Sequence, residues 1–399
     1  METSYSVIIA RGLCNQIAND SGRLWYHLST FAKDVTMTDD ATTYYVQTMP
    51  GVEEIAWLEI RDKLPGAKFG ETVFAKEQNG LLLFSYPGDV EDLFQLRTVE
   101  DVFVMALSIE KVPRTRQVLS QITELVSETA VFQHAIDIAM PIRKQAGRPS
   151  YRVISRLYGS HEIYRKELGE AVERGMNNRY PRWRLVDDHA RLEIWINLLG
   201  SRLVGGIRLT DRTTRHRFNK PVELKAALRP SVAAAMIHLT QPEDDDVFLD
   251  PMCGSGTLLM ERRFGGAYGQ MIAADIVRDH VWATRQNVEA LRKESPSQFS
   301  TLHANATQLP LAAGSISKVA TNLPFGKQIG SPKALKKLYP AFFGELERVL
   351  GGNGRAVILS SEYDLVKDAV RVCPGLEILT GYSIAVLGQW GRIYIMRRT

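Results

Sequence analysis

Apolar and polar positions follow three different styles along the chain. Over residues 1–42 no period emerges, and the stretch runs into the polar segment Thr36–Thr43. It reads as an appended arm or a poorly ordered tail. From Thr43, TYYVQTMPGVEEIAWLEIRDKL predicts a strand, a turn at Pro50-Gly51 and an amphipathic helix carrying Val52, Ile55, Ala56, Glu59 and Ile60 at helical spacing. NGLLLFSYPGD predicts a strand after Asn79-Gly80, and DVEDLFQLRTVEDVFVMAL a helix and a further strand. Residues 43–110 therefore read as a small α+β unit.

A second such unit is predicted over 111–212. Thr115–Met140 has the helical period, SYRVISRLY alternates as a strand, and HEIYRKELGEAVERGMNNRY is an amphipathic helix. ARLEIWIN is a period-2 strand with Leu192, Ile194 and Ile196 on one face, and LVGGIRLTD is its hairpin return. From about residue 222 the style changes to α/β. VFLD, MIAAD, STLHAN, SKVATN and AVILSS are short apolar runs ending in polar residues, separated by helical stretches. That is the rhythm of an open parallel sheet. LEILTGYSIAVLGQWGRIYIMRR predicts an antiparallel hairpin around Gly388 that closes the sheet. No solenoid-length repeat or low-complexity tract interrupts these units.

A length of 399 residues agrees with several domains rather than one core. No apolar run approaches the roughly 18 residues of a membrane helix. METSYSVIIARGLC lacks a basic start followed by an apolar block, so no signal peptide is expected. Cys14, Cys253 and Cys373 are too sparse for a disulfide framework and fit a reducing, cytoplasmic setting. The eight His show no ligand spacing, so no metal site is expected.

The net charge is only +4, but it is unevenly spread. Arg143–Arg184 holds eleven Lys/Arg against four Glu, and Ser201–Pro230 eight against two acids. A basic middle on an acidic remainder suggests a polyanion footprint, with a solvated face as the alternative. Arg208, Arg212, Arg215, Arg217 and Lys220, and likewise Arg148, Arg152 and Arg182, carry both readings. Phosphate contacts from them would position an RNA without reading its bases.

The chemistry concentrates after the α/β strands. VFLDPMCGSGTLLME puts Asp250, Gly254, Ser255 and Gly256 in a loop between a strand and a helix. Gly254 and Gly256 let backbone approach a ligand where a Cβ would collide. No Gly-Lys-Ser/Thr follows, which excludes a phosphate-binding Walker loop, and the third glycine of the dinucleotide fingerprint is missing. Asp275, at the end of the next strand, can hold two ribose hydroxyls, and Asn305, at the end of the third, an adenine edge. These ends describe a seat for an adenosine with a short charged appendage, as in S-adenosylmethionine.

TNLPFGKQIG follows the fourth strand. Asn322 offers a side-chain acceptor, Pro324 a rigidly held backbone carbonyl, and Phe325 a ring for stacking on a base. Two acceptors gripping the hydrogens of a ring amine would aim its lone pair at a methyl donor. Cys253 is expected to be structural, because a 5-methylcytosine enzyme needs a placed Pro-Cys dipeptide and Cys373 is followed, not preceded, by Pro374.

DPMCGSGTLLME, AAD, LPL and TNLPFGKQIG, with RLYGSHEIYRKELGEAV, YPRWRLVDDHARLEIWINLLGSRLVGGIRLTDRTTRHR and ALRPSVAAAMIHLT upstream, make residues 43–399 resemble the THUMP-domain RNA methyltransferases that form N2-methylguanosine in tRNA. The resemblance implies an α/β fold: a Rossmann-like class I methyltransferase domain over 213–399, preceded by a ferredoxin-like unit (43–110) and a THUMP domain (111–212) that docks the acceptor end of tRNA. It implies a monomer with S-adenosyl-L-methionine as cofactor. Asp250, Gly254, Ser255 and Gly256 would line the methionine end, Asp275 and Ile276 the ribose, and Asn305 and Ala306 the adenine. Asn322 would face both cofactor and substrate, Asn322 and Pro324 would grip the guanine amine, and Phe325 would stack on the flipped base. Asn305 departs from the Asp usual there. An rRNA guanine-N2 or adenine-N6 methyltransferase, or an RNA-binding homologue that no longer methylates, are the alternatives; a protein glutamine methyltransferase would leave the basic half without a task.

Overall fold

The structure, a computed structural model, describes residues 41–74, 80–128, 130–144, 147–225, 227–291, 298–325, 332–386 and 388–399. The expected arm therefore lies almost wholly outside the described residues, as does the glycine-containing end of TNLPFGKQIG at 326–330. Two compact units are present. One reaches Gln47 and resumes over Ile60–Asp211; the other comprises Thr48–Glu59 and Arg212–Thr399.

The first unit is built on an eight-stranded sheet ordered β2-β3-β1-β4-β8-β7-β5-β6. Its strands are β1 (Thr42–Gln47), β2 (Lys68–Val73), β3 (Leu81–Tyr86), β4 (Asp101–Ile109), β5 (Ser150–Tyr158), β6 (Arg184–Leu185), β7 (Leu192–Leu199) and β8 (Arg202–Arg208). The sequence places a boundary near residue 110, yet β4 and β8 pair across it, so one sheet serves both stretches. On one face Tyr45 stacks on Phe103 at 4.5 Å, and Phe103 meets Trp195 edge-on. The helices are α1 (Glu53–Lys63), shared in sequence between the units, α2 (Gln117–Glu128), α3 (Gln133–Ile142) and α4 (Arg165–Arg179). The helical period over Thr115–Met140 is thus realised as two helices. Val90–Gln95 forms a 3-10 turn.

The second unit is a seven-stranded sheet ordered β11-β10-β9-β12-β13-β15-β14. Its strands are β9 (Val247–Asp250), β10 (Gln270–Asp275), β11 (Phe299–His303), β12 (Ile316–Asn322), β13 (Leu350–Ser360), β14 (Leu376–Val386) and β15 (Gln389–Arg398). The first five are parallel where paired, and β15 runs antiparallel to both β13 and β14. The closing hairpin around Gly388 is as the sequence implies.

Successive residues serve opposite faces. Phe248, Met271, Ala273, Ala320 and Val357 join one buried cluster, while Leu249, Ile272, Ala274, Val319 and Ile358 join the other. Helices α5 (Pro230–Leu239), α6 (Thr257–Arg262) and α7 (Arg278–Glu289) supply apolar residues to the first cluster. Helices α8 (Pro332–Val349) and α9 (Tyr363–Arg371) supply the second. Burial on both faces explains why these strands read as unbroken apolar runs. Val52 and Ile55 also sit in the first cluster, so the segment 48–59 packs with this unit although the sequence reading assigned it to the N-terminal one.

Candidate active site

The strand order places β9 between β10 and β12, which is where the connections switch direction. Ligands in open α/β sheets bind at such a point, beyond the carboxyl ends of the strands. Asp275, Asp250 and Asn322 are the last residues of the adjacent strands β10, β9 and β12, with Asp250 level with Ala273 and the other two reaching further along that edge.

Backbone bonds knit the edge together. The Cys253 N–H donates to Ala274 O at 2.9 Å, and the Gly254 N–H donates to Asp275 Oδ2 at 3.0 Å. Asp275 Oδ1 accepts from the Val277 N–H at 2.9 Å, and His280 Nδ1 lies 3.3 Å from Oδ2. Both oxygens are thereby aimed, and Oδ1, with the Val277 N–H as its one partner here, keeps a further lone pair for a ligand hydroxyl. Gly254 (φ 51°) and Gly256 (φ 78°) adopt the left-handed conformation, but their surroundings differ. A Cβ on Gly256 would lie 2.9 Å from Thr284 Cγ2, whereas one on Gly254 would meet no atom within 4 Å. Gly256 is therefore required by packing against α7, while Gly254 borders open space. The Thr284 hydroxyl and the Asn287 amide fasten the loop from α7, bonding Gly254 O and Ser255 O at 2.8 and 3.0 Å.

Asn322 presents the clearest chemical signature. Its Oδ1 is shielded from solvent and has no hydrogen-bond partner among the described residues. An unmet buried acceptor costs about 1–3 kcal/mol, so such an atom marks a place for a donor from outside the chain. The neighbouring Leu323 N–H is anchored on Leu359 O at 3.0 Å, which fixes the turn. The Pro324 carbonyl accepts from the Tyr339 hydroxyl at 3.2 Å. That hydroxyl lies 2.7 Å from Ser360 Oγ, which itself accepts from the Glu362 N–H at 2.9 Å. A chain of donors thus runs through the buried Tyr339 to one lone pair of Pro324 O and leaves the other free. Burial pushes the Tyr339 phenol up, so it stays a neutral donor.

Asp250 is 1% exposed. Burial pushes its carboxyl up to about 7; the Thr321 hydroxyl and the Met252 N–H pull it down, and the nearby charge of Asp275 pushes it up further. No basic side chain among the described residues pairs with it. A buried acid without a counter-charge suits a cationic ligand group. Cys253 is 5% exposed and burial pushes its thiol up, leaving a neutral packing residue rather than a nucleophile.

The other expected residues divide. Ser255 and Ala306 are buried beside the edge, and Ile276 is 64% exposed next to Asp275. β11 ends at His303, so Asn305 lies beyond the strand rather than at its end. Asn305 is exposed, and its Oδ1 accepts from the Thr307 N–H at 3.0 Å. The stacking ring expected of Phe325 is instead in the core, where Phe325 is 8% exposed and joins the cluster of Phe248 and Val357. Among the arginines, Arg148 and Arg182 are exposed. Arg208 is not a free phosphate ligand: it is 4% exposed, with Nε 2.7 Å from Asp101 and Nη1 2.9 Å from Glu193. Arg152 bridges Asp188 and Glu193, leaving its side chain 18% exposed. Although burial pushes the Glu193 carboxyl up, Arg208 and Arg152 outweigh it and hold the group low. In the second unit, Arg215 is half-buried, and Arg217 is spent on Thr214 O and Glu261.

Residues 217–375 match the UPF0020 family, described as an RMKL-like methyltransferase domain. This stretch is similar to that methyltransferase domain. The bovine tRNA (guanine(6)-N(2))-methyltransferase THUMP3 is 30% identical over 254 residues, covering 61% of this chain but 49% of its own length. The chain thus spans about half the length of that mammalian relative. The tRNA (guanine(6)-N2)-methyltransferase of Methanocaldococcus jannaschii is 24% identical over 402 residues, which cover 88% of this chain and 99% of that protein. The crystal structure of TrmN from Thermus thermophilus superposes with a TM-score of 0.71 at 21% identity, over 90% of this chain and 100% of that one. Its likeness shows the fold of both units taken along the chain.

Within the second unit the sequence reading missed Tyr339, Ser360, Thr284 and Asn287. Tyr339 carries no sequence signal, because it falls on the apolar stripe of an amphipathic helix. Thr284 and Asn287 are polar positions on a helix face and read as solvated. Among the described residues, no helix is long and apolar enough to cross a membrane, and no group of three or more His, Cys, Asp or Glu could hold a metal ion.

Proposed function

We propose that the chain transfers a methyl group from S-adenosyl-L-methionine to the exocyclic N2 amine of a guanosine in tRNA. The reading rests on the unmet acceptor Asn322 Oδ1 beside the braced Pro324 carbonyl, on the strand edge that also carries Asp250 and Asp275. The relatives' names point to tRNA as the substrate. Gly254 bordering open space and the unpaired Asp250 fit an adenosyl cofactor with a cationic tail. Asp250 and the glycine loop would hold its methionine end, Asp275 and Ile276 its ribose, and Asn305 and Ala306 its adenine.

The bound cofactor supplies an electrophilic methyl. The protein's part is positioning. Asn322 Oδ1 and Pro324 O each accept one hydrogen of the guanine amine, which turns the nitrogen lone pair out of the plane they share. No covalent nucleophile is needed, in keeping with the neutral Cys253 thiol. A base reaches this cleft only when flipped from its stack, at a few kcal/mol offset by the amine contacts.

Residues 111–212 serve as the THUMP domain docking the acceptor end, and 43–110 as the ferredoxin-like unit before it. The excess of Lys/Arg over Arg143–Arg184 supports this, with exposed Arg148 and Arg182 as the phosphate ligands. The protein acts as a monomer in the cytosol, the compartment its sparse cysteines suit.

The test is nucleoside mass spectrometry of tRNA after incubation with protein and labelled cofactor. N2-methylguanosine is the expected product, and Asn322→Ala lowers its rate by about 10²–10³ while cofactor binding persists. N6-methyladenosine as the product, or an unchanged rate in the variant, overturns the reading.

A further inference from the structure

The edge that carries Asn322 also carries exposed aromatic rings that the transfer chemistry leaves unexplained. β13 ends on that edge at Ser360, and α9 begins three residues later at Tyr363. β15 runs antiparallel to β13, so its first residues, 389–392, stand at the same edge. Trp390 is 49% exposed there and Tyr363 38%. A lone ring at a surface needs no explanation, but two on the catalytic edge of one sheet mark a contact surface.

The strand register gives the place of Trp390. Asn322 is level with Leu359 on β13, and Leu359 is level with Ile393 on β15. Trp390 lies three residues before Ile393, so it projects past the level of Asn322. Two strand spacings sideways and three residues along separate their Cα atoms by about 14 Å. That is too far for the base gripped by Asn322, and within reach of a nucleotide beside it in the strand.

Side chains alternate along β15. Ile393 joins the cluster of Phe248, while Tyr394 joins the opposite one under α8 and α9. Trp390 and Arg392 share the face of Tyr394, yet neither is drawn into that cluster. Their cross-strand partners on β14 are Ala385 and exposed Ser383, which are too small to cover them. The Arg392 guanidinium lies 5.7 Å from the centre of the Tyr394 ring, which holds it on this face. Exposed Asp364 is near enough to act on Tyr394, but no carboxylate forms an ion pair with Arg392 among the described residues. A flat ring open to solvent beside an uncompensated guanidinium matches one nucleotide of a single strand, its base on the ring and its phosphate on the cation. Phe325 does not serve this purpose, because its ring is buried.

We infer that Trp390 stacks on the base of a nucleotide adjoining the methylated guanosine and that Arg392 holds the phosphate between them. This rests on the proposed RNA substrate. A duplex hides its base faces, so the strand must be open on that side of the guanosine. Stacking tolerates every base, and the contact therefore positions the strand without reading its sequence.

The experiment is steady-state methylation of unmodified bulk tRNA by the full chain, with melting temperature and calorimetry of S-adenosylhomocysteine binding as controls. Trp390→Ala should lower kcat/KM about five- to a hundredfold, the range of one base stacked on an aromatic ring. Trp390→Phe should stay within about threefold of the wild type, and Trp390→Leu should behave as the alanine variant. Arg392→Gln should reduce the salt slope of tRNA binding by about one. Cofactor affinity and melting temperature should not change in any of them. Unchanged kcat/KM in Trp390→Ala overturns the inference and leaves the proposed activity standing. So does an equal loss in Trp390→Phe, or a loss that follows melting temperature. Self-association of the wild type that Trp390→Ala abolishes, with tRNA kinetics unaffected, assigns the ring to an interface between copies and also overturns it. Absence of methyl transfer to tRNA by the wild type overturns the inference and the proposed activity together.

Discussion

Asp250 makes a quantitative prediction. Its carboxyl rises from 3.8 to about 7 on folding, chiefly because it is buried. At pH 7 about half the molecules then carry it protonated. A ligand ammonium docking on it favours the charged form and expels the proton. With the bound carboxyl returned to about 4, binding should release about 0.9 proton at pH 6, about 0.5 at pH 7 and about 0.1 at pH 8. Calorimetry of S-adenosylhomocysteine binding in buffers of different ionisation enthalpy measures this number, and Asp250→Asn should remove the dependence. Stability moves with it. The folded value lies above the unfolded one, so the contribution is fully present below about pH 4 and is lost as pH rises through about 7. The full shift corresponds to about 4 kcal/mol, an upper figure because solvent entry softens it. The wild type should therefore lose melting temperature between pH 5 and 8 more steeply than Asp250→Asn. No proton release at pH 7, or equal release in the variant, would refute the reasoning.

Removing the Tyr339 hydroxyl with Tyr339→Phe should cost about 1 kcal/mol of stability; it should lower turnover about tenfold with cofactor affinity intact, and unchanged turnover would show that Pro324 O needs no brace. Gly254→Ala should keep the fold, at a strain of about 1–2 kcal/mol, and weaken cofactor binding more than tenfold in calorimetry. Gly256→Ala should lose more stability than Gly254→Ala in thermal melts, because its methyl meets Thr284. Arg262 is fully buried and bonds Glu243 O, Gly266 O, Ala267 O and Asp246 Oδ2. Arg262→Met leaves buried Asp246 with Lys318, 4.0 Å away, as its remaining cation and should cost about 3 kcal/mol, seen as a lower denaturant midpoint.

What the sequence reveals follows from how each segment is buried. β9, β10 and β12 are covered on both faces, so their apolar runs and polar ends stand out, and with them Asp250, Asp275 and Asn322. β2 (KFGETV) is exposed over its first half and contains Gly70, and β6 has two exposed residues, so neither leaves a pattern. Charge counting could not separate Arg208 from Arg148. What distinguishes them is Asp101 and Glu193, which reach Arg208 from 107 and 15 positions away in the chain and become its neighbours only when β4, β7 and β8 pair. Phe325 reads as a base platform beside Asn322 and Pro324, but its ring turns inward, a choice made by the cluster around Phe248 rather than by its neighbours in sequence.

The carboxylate of Asp275 ties together the turns that leave two neighbouring strands, holding Gly254 with one oxygen and Val277 with the other. The cleft is therefore shaped during folding, and a cofactor arriving there has little loop entropy left to quench. Recognition at this edge should resemble a key entering a finished lock, with association governed by diffusion and release governed by the contacts themselves.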